Sequence, residues 1–184
     1  MILPVQSKLV LFFAVVSLLS AADLFASGGN LYPLFHDKIV KVFVNEIKDS
    51  TQEHEVDPKL VKTKIEDALK KRKSINFQIV DDPSNADILI DAQLNGFMWT
   101  DHDPVDMLVG TAAIAYDIAT IEDYASLDAT LSVVDAKNKK ALWKERLNAS
   151  VTKKPMPRQE SVPLVSEELA KLFIKNCFSK NRSK

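Results

Sequence analysis

Apolar and polar residues alternate with a period of two from Tyr124 to Val151, and this pattern predicts a pair of long antiparallel strands joined by one turn. In the first arm Ala125, Leu127, Ala129, Leu131 and Val133 share a face, against Tyr124, Ser126, Asp128, Thr130 and Ser132. Asp135-Ala136-Lys137-Asn138-Lys139-Lys140 then breaks the alternation with turn formers and charge. The second arm puts Ala141, Trp143, Leu147, Ala149 and Val151 on the apolar face and Lys144, Arg146, Asn148 and Ser150 on the polar one. A two-stranded ribbon is marginal in water, so its apolar face calls for further strands and a covering layer.

The remaining chain supplies both. Ile39 to Ile47 is Val-rich with apolar residues on both sides, which predicts a central first strand. Asp57-Pro58 places an N-cap residue before a proline at the first helical position, and Val61, Ile65, Ala68 and Leu69 mark one face of the helix that follows. Lys70, Lys71, Arg72 and Lys73 close it, either as a solvated end facing the negative pole of the helix dipole or as a basic recognition patch. Phe77 and Ile79 predict a short second strand, ended by the turn signal Asp81-Asp82-Pro83-Ser84-Asn85. Ile88, Ile90, Ala92, Leu94 and Met98 then face inward on a third strand. Asp91, Gln93 and Asn95 face outward, with Phe97 and Trp99 joining them at the far end as a partner contact or as cover for the next loop. Pro155 and Pro157 end the sheet, and Val165, Leu169, Leu172, Phe173 and Cys177 recur at helical spacing from about Glu160 to Phe178. The expected architecture is α+β: a mixed, largely antiparallel sheet of about five strands in the order β-α-β-β-β-β-α, with two helices on one face. Residues 27–178 form one domain in this reading, and 179–184 form a frayed, disordered tail.

Residues 100–123 resist this reading. Asp101-His102-Asp103-Pro104-Val105-Asp106 surrounds one imidazole with carboxylates, but no second His or Cys stands at ligand spacing, so a polar turn is expected and no metal. Met107 to Ala119 is almost wholly apolar, which makes Met107, Leu108 and Val109, together with Trp99, the candidate contacts to a partner.

Composition narrows the function. A formal net charge of -1 gives no electrostatic reason to expect nucleic acid, and 4 glycines in 184 residues leave no glycine-rich phosphate loop. The single Cys177 cannot form an internal disulfide and is expected to be buried. Three scattered histidines and the lack of a nucleophile motif argue against an enzyme, and no cofactor is expected. At the start of the chain, Lys8, the apolar run Leu9 to Leu19 and the small residues Ser20-Ala21-Ala22 have the layout of a cleavable signal peptide over 1–26, cut after Ala22 or Ala26. Export to the periplasm follows from that reading.

Short motifs stand in a set order: Lys41-Val42-Phe43-Val44-Asn45, Phe77-Gln78-Ile79-Val80-Asp81-Asp82 and Ala86-Asp87-Ile88-Leu89-Ile90. They are followed by Glu122-Asp123-Tyr124 and by Val133-Val134-Asp135-Ala136-Lys137 with Ala141-Leu142-Trp143-Lys144. In this order and spacing the chain resembles the LptE family of outer-membrane lipopolysaccharide-assembly proteins. The resemblance implies a non-enzymatic protein that assists an outer-membrane β-barrel in lipopolysaccharide transport. Leu19-Ser20-Ala21 is similar to the start of a lipobox, but Ala22 stands where the lipidated cysteine would be, so no lipid anchor of that type is expected and any outer-membrane association would run through the partner. If lipopolysaccharide is a ligand, Lys137, Lys139 and Lys140 are the densest loop cations to meet its phosphates, and otherwise they keep the turn soluble. The same order of elements is similar to the curli-secretion lipoprotein and to peptidoglycan-synthase activators, which implies the alternative of a periplasmic scaffold binding another envelope protein.

Overall fold

A computed structural model describes residues 29–51, 54–100 and 123–180. Strands β1 (Ile39–Val44), β2 (Lys48–Asp49), β3 (Asn76–Ile79), β4 (Ile88–Thr100), β5 (Asp123–Asp135) and β6 (Ala141–Lys153) form one mixed sheet. Its order is β3-β1-β4-β5-β6, with β2 running alongside β4. Helices α1 (Tyr32–Phe35), α2 (Pro58–Lys70) and α3 (Arg158–Phe178) complete the α+β fold expected from the sequence.

The parallel half follows from the crossover. α2 returns the chain so that β3 lies parallel to β1, pairing Ile39 with Asn76 and Val42 with Ile79. β4 then pairs parallel to the other edge of β1 from Val42 onward. The turn at Asp82-Pro83 carries the chain across β1, where Val80 N–H donates to the Val42 carbonyl at 3.0 Å and Asp87 N–H to that of Lys41 at 2.8 Å. The predicted first strand is shorter than Ile39–Ile47. It stops at Val44, and the chain resumes pairing as β2, with Ser50 N–H bonded to the Leu94 carbonyl at 3.0 Å. β1 is interior, as its position between β3 and β4 shows, but only Val40, Val42 and Val44 are buried. Ile39 on the other face is 64% exposed.

α2 starts where its cap predicts, with the Asp57 carboxylate accepting from Lys59 N–H at 2.9 Å. Its residues Val61, Ile65 and Leu69 are fully covered. α3 contributes Val165, Leu169, Phe173, Cys177 and Phe178 to the same core. The burial of Cys177 matches the expectation. α1 is a short helix with no counterpart among the expected elements; Pro33 presets the helical φ of its first turn, and Leu31 N–H ties it to the Cys177 carbonyl at 2.8 Å.

Two bulges change the faces that strict alternation implies. β4 pairs Leu94 with Ala129 and Gly96 with Asp128, leaving Asn95 as an extra residue. Beyond it Phe97 stands opposite buried Leu127, and Trp99 opposite buried Ala125, so both lie on the helix-bearing face. Met98 moves to the opposite face, 45% exposed. The expectation of Met98 inside and of Phe97 and Trp99 outside is therefore inverted by one inserted residue. In β6, Leu142 is the extra residue between Trp143, paired with Val133, and Ala141, paired with Val134, so Ala141 turns outward. Glu145 also belongs to the inner face, opposite Leu131, where Asn176 Nδ2 donates to it at 3.5 Å. An inward acid on the long edge strand disfavours pairing with another chain.

Trp143 is fully buried against Phe173, with ring centroids 5.5 Å apart. Trp143→Ala is expected to lower stability by roughly 3 to 5 kcal/mol in urea unfolding. A loss below about 1 kcal/mol would contradict this packing.

Candidate functional site

α2 and α3 pack on one face of the sheet, and among the described residues no helix covers the other. The outward positions of β4, β5 and β6 are mostly polar, and their side chains bond to one another across the strands. Asn45 Nδ2 donates to Asp91 Oδ1 at 2.7 Å, Gln93 Nε2 to Ser50 Oγ at 3.1 Å and Asn95 Nδ2 to Thr130 Oγ1 at 3.0 Å. Arg146 grips Asp128 as a fork, with Nε at 3.0 and 2.9 Å from the two carboxylate oxygens and Nη2 closing on Oδ2. This hydrogen bonding holds the Asp128 carboxyl below its ordinary range and raises the Arg146 guanidinium. Between these rungs lies a cavity of 310 Å³ bordered by Glu46, Lys48, Asp91, Thr130 and Lys144. Its two acids and two cations make it polar and nearly neutral, which fits a hydrogen-bonding contact better than an ionic one.

The β5–β6 turn projects from one end of this sheet. Asp135 builds it: its carboxylate accepts N–H bonds from Lys137 at 2.8 Å and Asn138 at 3.1 Å. The Asn138 and Lys137 amides keep that carboxyl low in pKa. Lys139 takes a left-handed φ of 59°, and Asn138 Oδ1 accepts Lys140 N–H at 2.8 Å. The three lysines predicted from sequence thus sit together on a turn ordered by its own Asx bonds, with all of them exposed.

Trp99 has a different setting. Its Nε1 donates to the Met156 carbonyl at 3.1 Å, and the Arg158 guanidinium lies 5.8 Å from its ring centroid while also pairing with Glu55. Asp123 accepts Met156 N–H at 2.5 Å, so the end of β4 and the start of β5 are fastened to the same backbone unit. Trp99 is half-buried in this corner. Met107, Leu108 and Val109 lie outside the described residues, as do His102 and its neighbouring acids.

His36 faces Asp37 at 2.7 Å and His54 faces Asp49 at 2.7 Å, at separate surface positions. Among the described residues no group of three His, Cys, Asp or Glu side chains could hold a metal ion. Among them, too, no helix is long and apolar enough to cross a membrane.

One concave feature escaped the sequence reading. A 370 Å³ groove lies between α2 and α3, bringing Lys64, Lys71 and Arg72 up to Lys171 and Lys175. The basic end of α2 is legible in sequence as a charge run, but its meeting with α3 about a hundred residues later is not.

No protein-family model matches the chain, and no curated protein matches its sequence. Solved structures with a similar course include the PelC dodecamer from Paraburkholderia phytofirmans, at 15% identity, TM-score 0.49, over 83% of this chain and 96% of that one. Protein XCC0632 from Xanthomonas campestris aligns at 5% identity, TM-score 0.49, over 77% and 85%. The lipoprotein GNA1162 from Neisseria meningitidis aligns at 11% identity, TM-score 0.41, over 72% and 97%. At these identities function has to be argued from the chain's own chemistry.

Asp128→Asn removes the anionic half of the Arg146 fork. Because the folded pKa of Asp128 is depressed, its contribution is present above the unfolded pKa and is lost as pH falls through the folded one. Urea midpoints should show a small deficit for the variant at neutral pH, typical of a solvent-facing pair, that vanishes in acid. An equal deficit at both pH values would mean that the fork acts through packing and not through charge.

Proposed function

We propose that this chain is an exported, non-enzymatic binding module of the bacterial envelope, and that it assists an outer-membrane β-barrel engaged in lipopolysaccharide transport, the role of the LptE-like proteins it resembles. The observation that carries the binding reading is the one-sided covering of the sheet among the described residues. The helices protect one face, while the other presents an ordered polar surface with Met98 45% exposed at one end and the lysine turn at the other. A surface whose side chains are already bonded to one another loses little conformational freedom when a partner docks. The signal-like start of the sequence and the order of short motifs support the envelope setting and the barrel partner. In this reading the ordered turn offers Lys137, Lys139 and Lys140 to lipopolysaccharide phosphates.

The polar character of the open face also favours a second reading, a periplasmic scaffold for a soluble envelope enzyme such as a peptidoglycan synthase, since non-obligate interfaces are about as polar as ordinary surface.

Affinity capture of the tagged, exported protein from detergent-solubilised envelopes separates the two. Recovery of a large outer-membrane barrel in near-equal amount, lost on Met98→Asp with Thr130→Arg, is the expected result. Recovery of a cell-wall synthase would establish the second reading, and recovery of neither would retire the barrel role. The variant Lys137→Glu, Lys139→Glu, Lys140→Glu is expected to keep its melting temperature, because all three side chains are exposed, and to bind lipopolysaccharide more weakly. Unaltered lipopolysaccharide binding would remove the turn as a site.

A further inference from the structure

The groove between α2 and α3 lies on the opposite side of the molecule from the open sheet face, and its lining has a chemistry of its own. Small residues make it: Ala68 of α2 and Ala170 of α3 leave a gap where larger side chains would close the two helices together. Ala170 and Ile174, 1% and 7% exposed, form a floor. The flexible stems of Lys64, Lys71, Lys171 and Lys175 form the walls, apolar along their length and charged at the tip.

The charge balance is uneven. Five cations line the groove against two carboxylates, Asp67 and Glu167. Glu167 is already engaged, by Lys171 at 3.1 Å and Lys64 at 3.7 Å. Lys71 and Lys175 are exposed, and neither has a carboxylate within ion-pairing distance among the described residues. Among the described residues the Arg72 side chain makes one hydrogen bond, from Nη2 to the Phe178 carbonyl at 3.0 Å, so a neutral group positions its charge and no acid there pairs with it. Its Nε is buried with no acceptor among the described residues. Both helices end at this groove, and their negative poles amount to about one unit of charge together. With Glu168, which pairs with Lys171 at 3.6 Å, these poles offset all but about one positive charge.

We propose that this groove binds a single-chain anionic lipid, a phosphate monoester carried on one acyl chain. The acyl chain would lie on Ala68, Ile174 and the lysine stems, and the phosphate would meet Lys71, Arg72 and Lys175. The volume is near the lower bound of small-molecule sites, about 300 Å³, which suits one chain better than two. A partner helix is a poorer fit, because it needs a broad apolar stripe and this groove of 370 Å³ is narrow and walled by charged side chains. The inference uses neither the open sheet face nor the β5–β6 turn, and so stands apart from the barrel-assembly reading.

The test is calorimetric titration of the purified chain with lysophosphatidic acid below its micelle-forming concentration. One saturable site is expected. Lys71→Glu with Lys175→Glu should weaken it by about tenfold or more, the loss typical of hydrogen bonds to a charged group, with only a small fall in melting temperature from the reversed charge at the two helix ends. Ala68→Trp, which fills the groove, should weaken it similarly, and if that variant fails to fold the charge-reversal pair decides. Lys137→Glu, Lys139→Glu, Lys140→Glu should bind as the parent chain does. The proposal is overturned by an absence of saturable binding, by parental affinity in the charge-reversal pair, or by equal affinity for the uncharged monoacylglycerol. Equal affinity for an acidic peptide without an acyl chain would overturn it too, and would assign the groove to a protein partner.

Discussion

Phe178 is the residue on which the two layers depend. It is the last residue of α3 and fully buried, and its ring meets Phe77 of β3 at 5.0 Å, Phe173 at 5.7 Å and Phe35 of α1 at 6.4 Å. Its carbonyl receives Arg72 from just past the end of α2. Through Phe173 the same cluster reaches Trp143 of β6. One aromatic group therefore ties the edge strand β3 to the edge strand β6 beneath a single helix. Burying a phenylalanine contributes about 1.5 to 3 kcal/mol, a sizeable share of a typical domain's net stability. With the helices held on that face, the opposite face of the sheet carries no helix among the described residues.

The two faces differ because the strands obey alternation for most of their length and break it at one point each. Asn95 in β4 and Leu142 in β6 are single inserted residues, and each reverses which side the following or preceding positions occupy. The first bulge brings Trp99 to the helical side, where Met156 and Arg158 receive it, and sends Met98 outward. It also places Asn95 beside Thr130, within the bonded surface of the open face. A feature that interrupts pairing thus contributes to the candidate binding surface, which is the usual place for a bulge in a sheet.

The candidate sites differ in how far they could be seen in advance. The turn lysines were legible because Asp135 to Lys140 is a local unit, ordered by bonds that span two or three residues. The polar open face was legible in outline from Asp91, Gln93, Thr130 and Arg146. The part assembled by Glu46 and Lys48 was not, because Glu46 reads as part of one strand from Ile39 to Ile47, where the chain in fact jogs into a second pairing with β4 at Lys48. The inter-helix groove was illegible in principle, since the cations of α2 and those of α3 share no periodicity and meet only after both helices dock.

What the sequence determined by itself was the local physics. The alternation along β5, the Asp57-Pro58 start of α2, the inward stripe of α3 and the burial of Cys177 each follow from neighbours a few residues apart, and each is present in the fold. What only the tertiary structure decided was the phase of the strands beyond their bulges, the crossing of β1 by the Asp82-Pro83 turn and the gathering of charge between the helices. These depend on which strand pairs with which and on how two covered layers settle together. Such contacts are set by non-local packing, and residues distant along the chain carry no local signal of it.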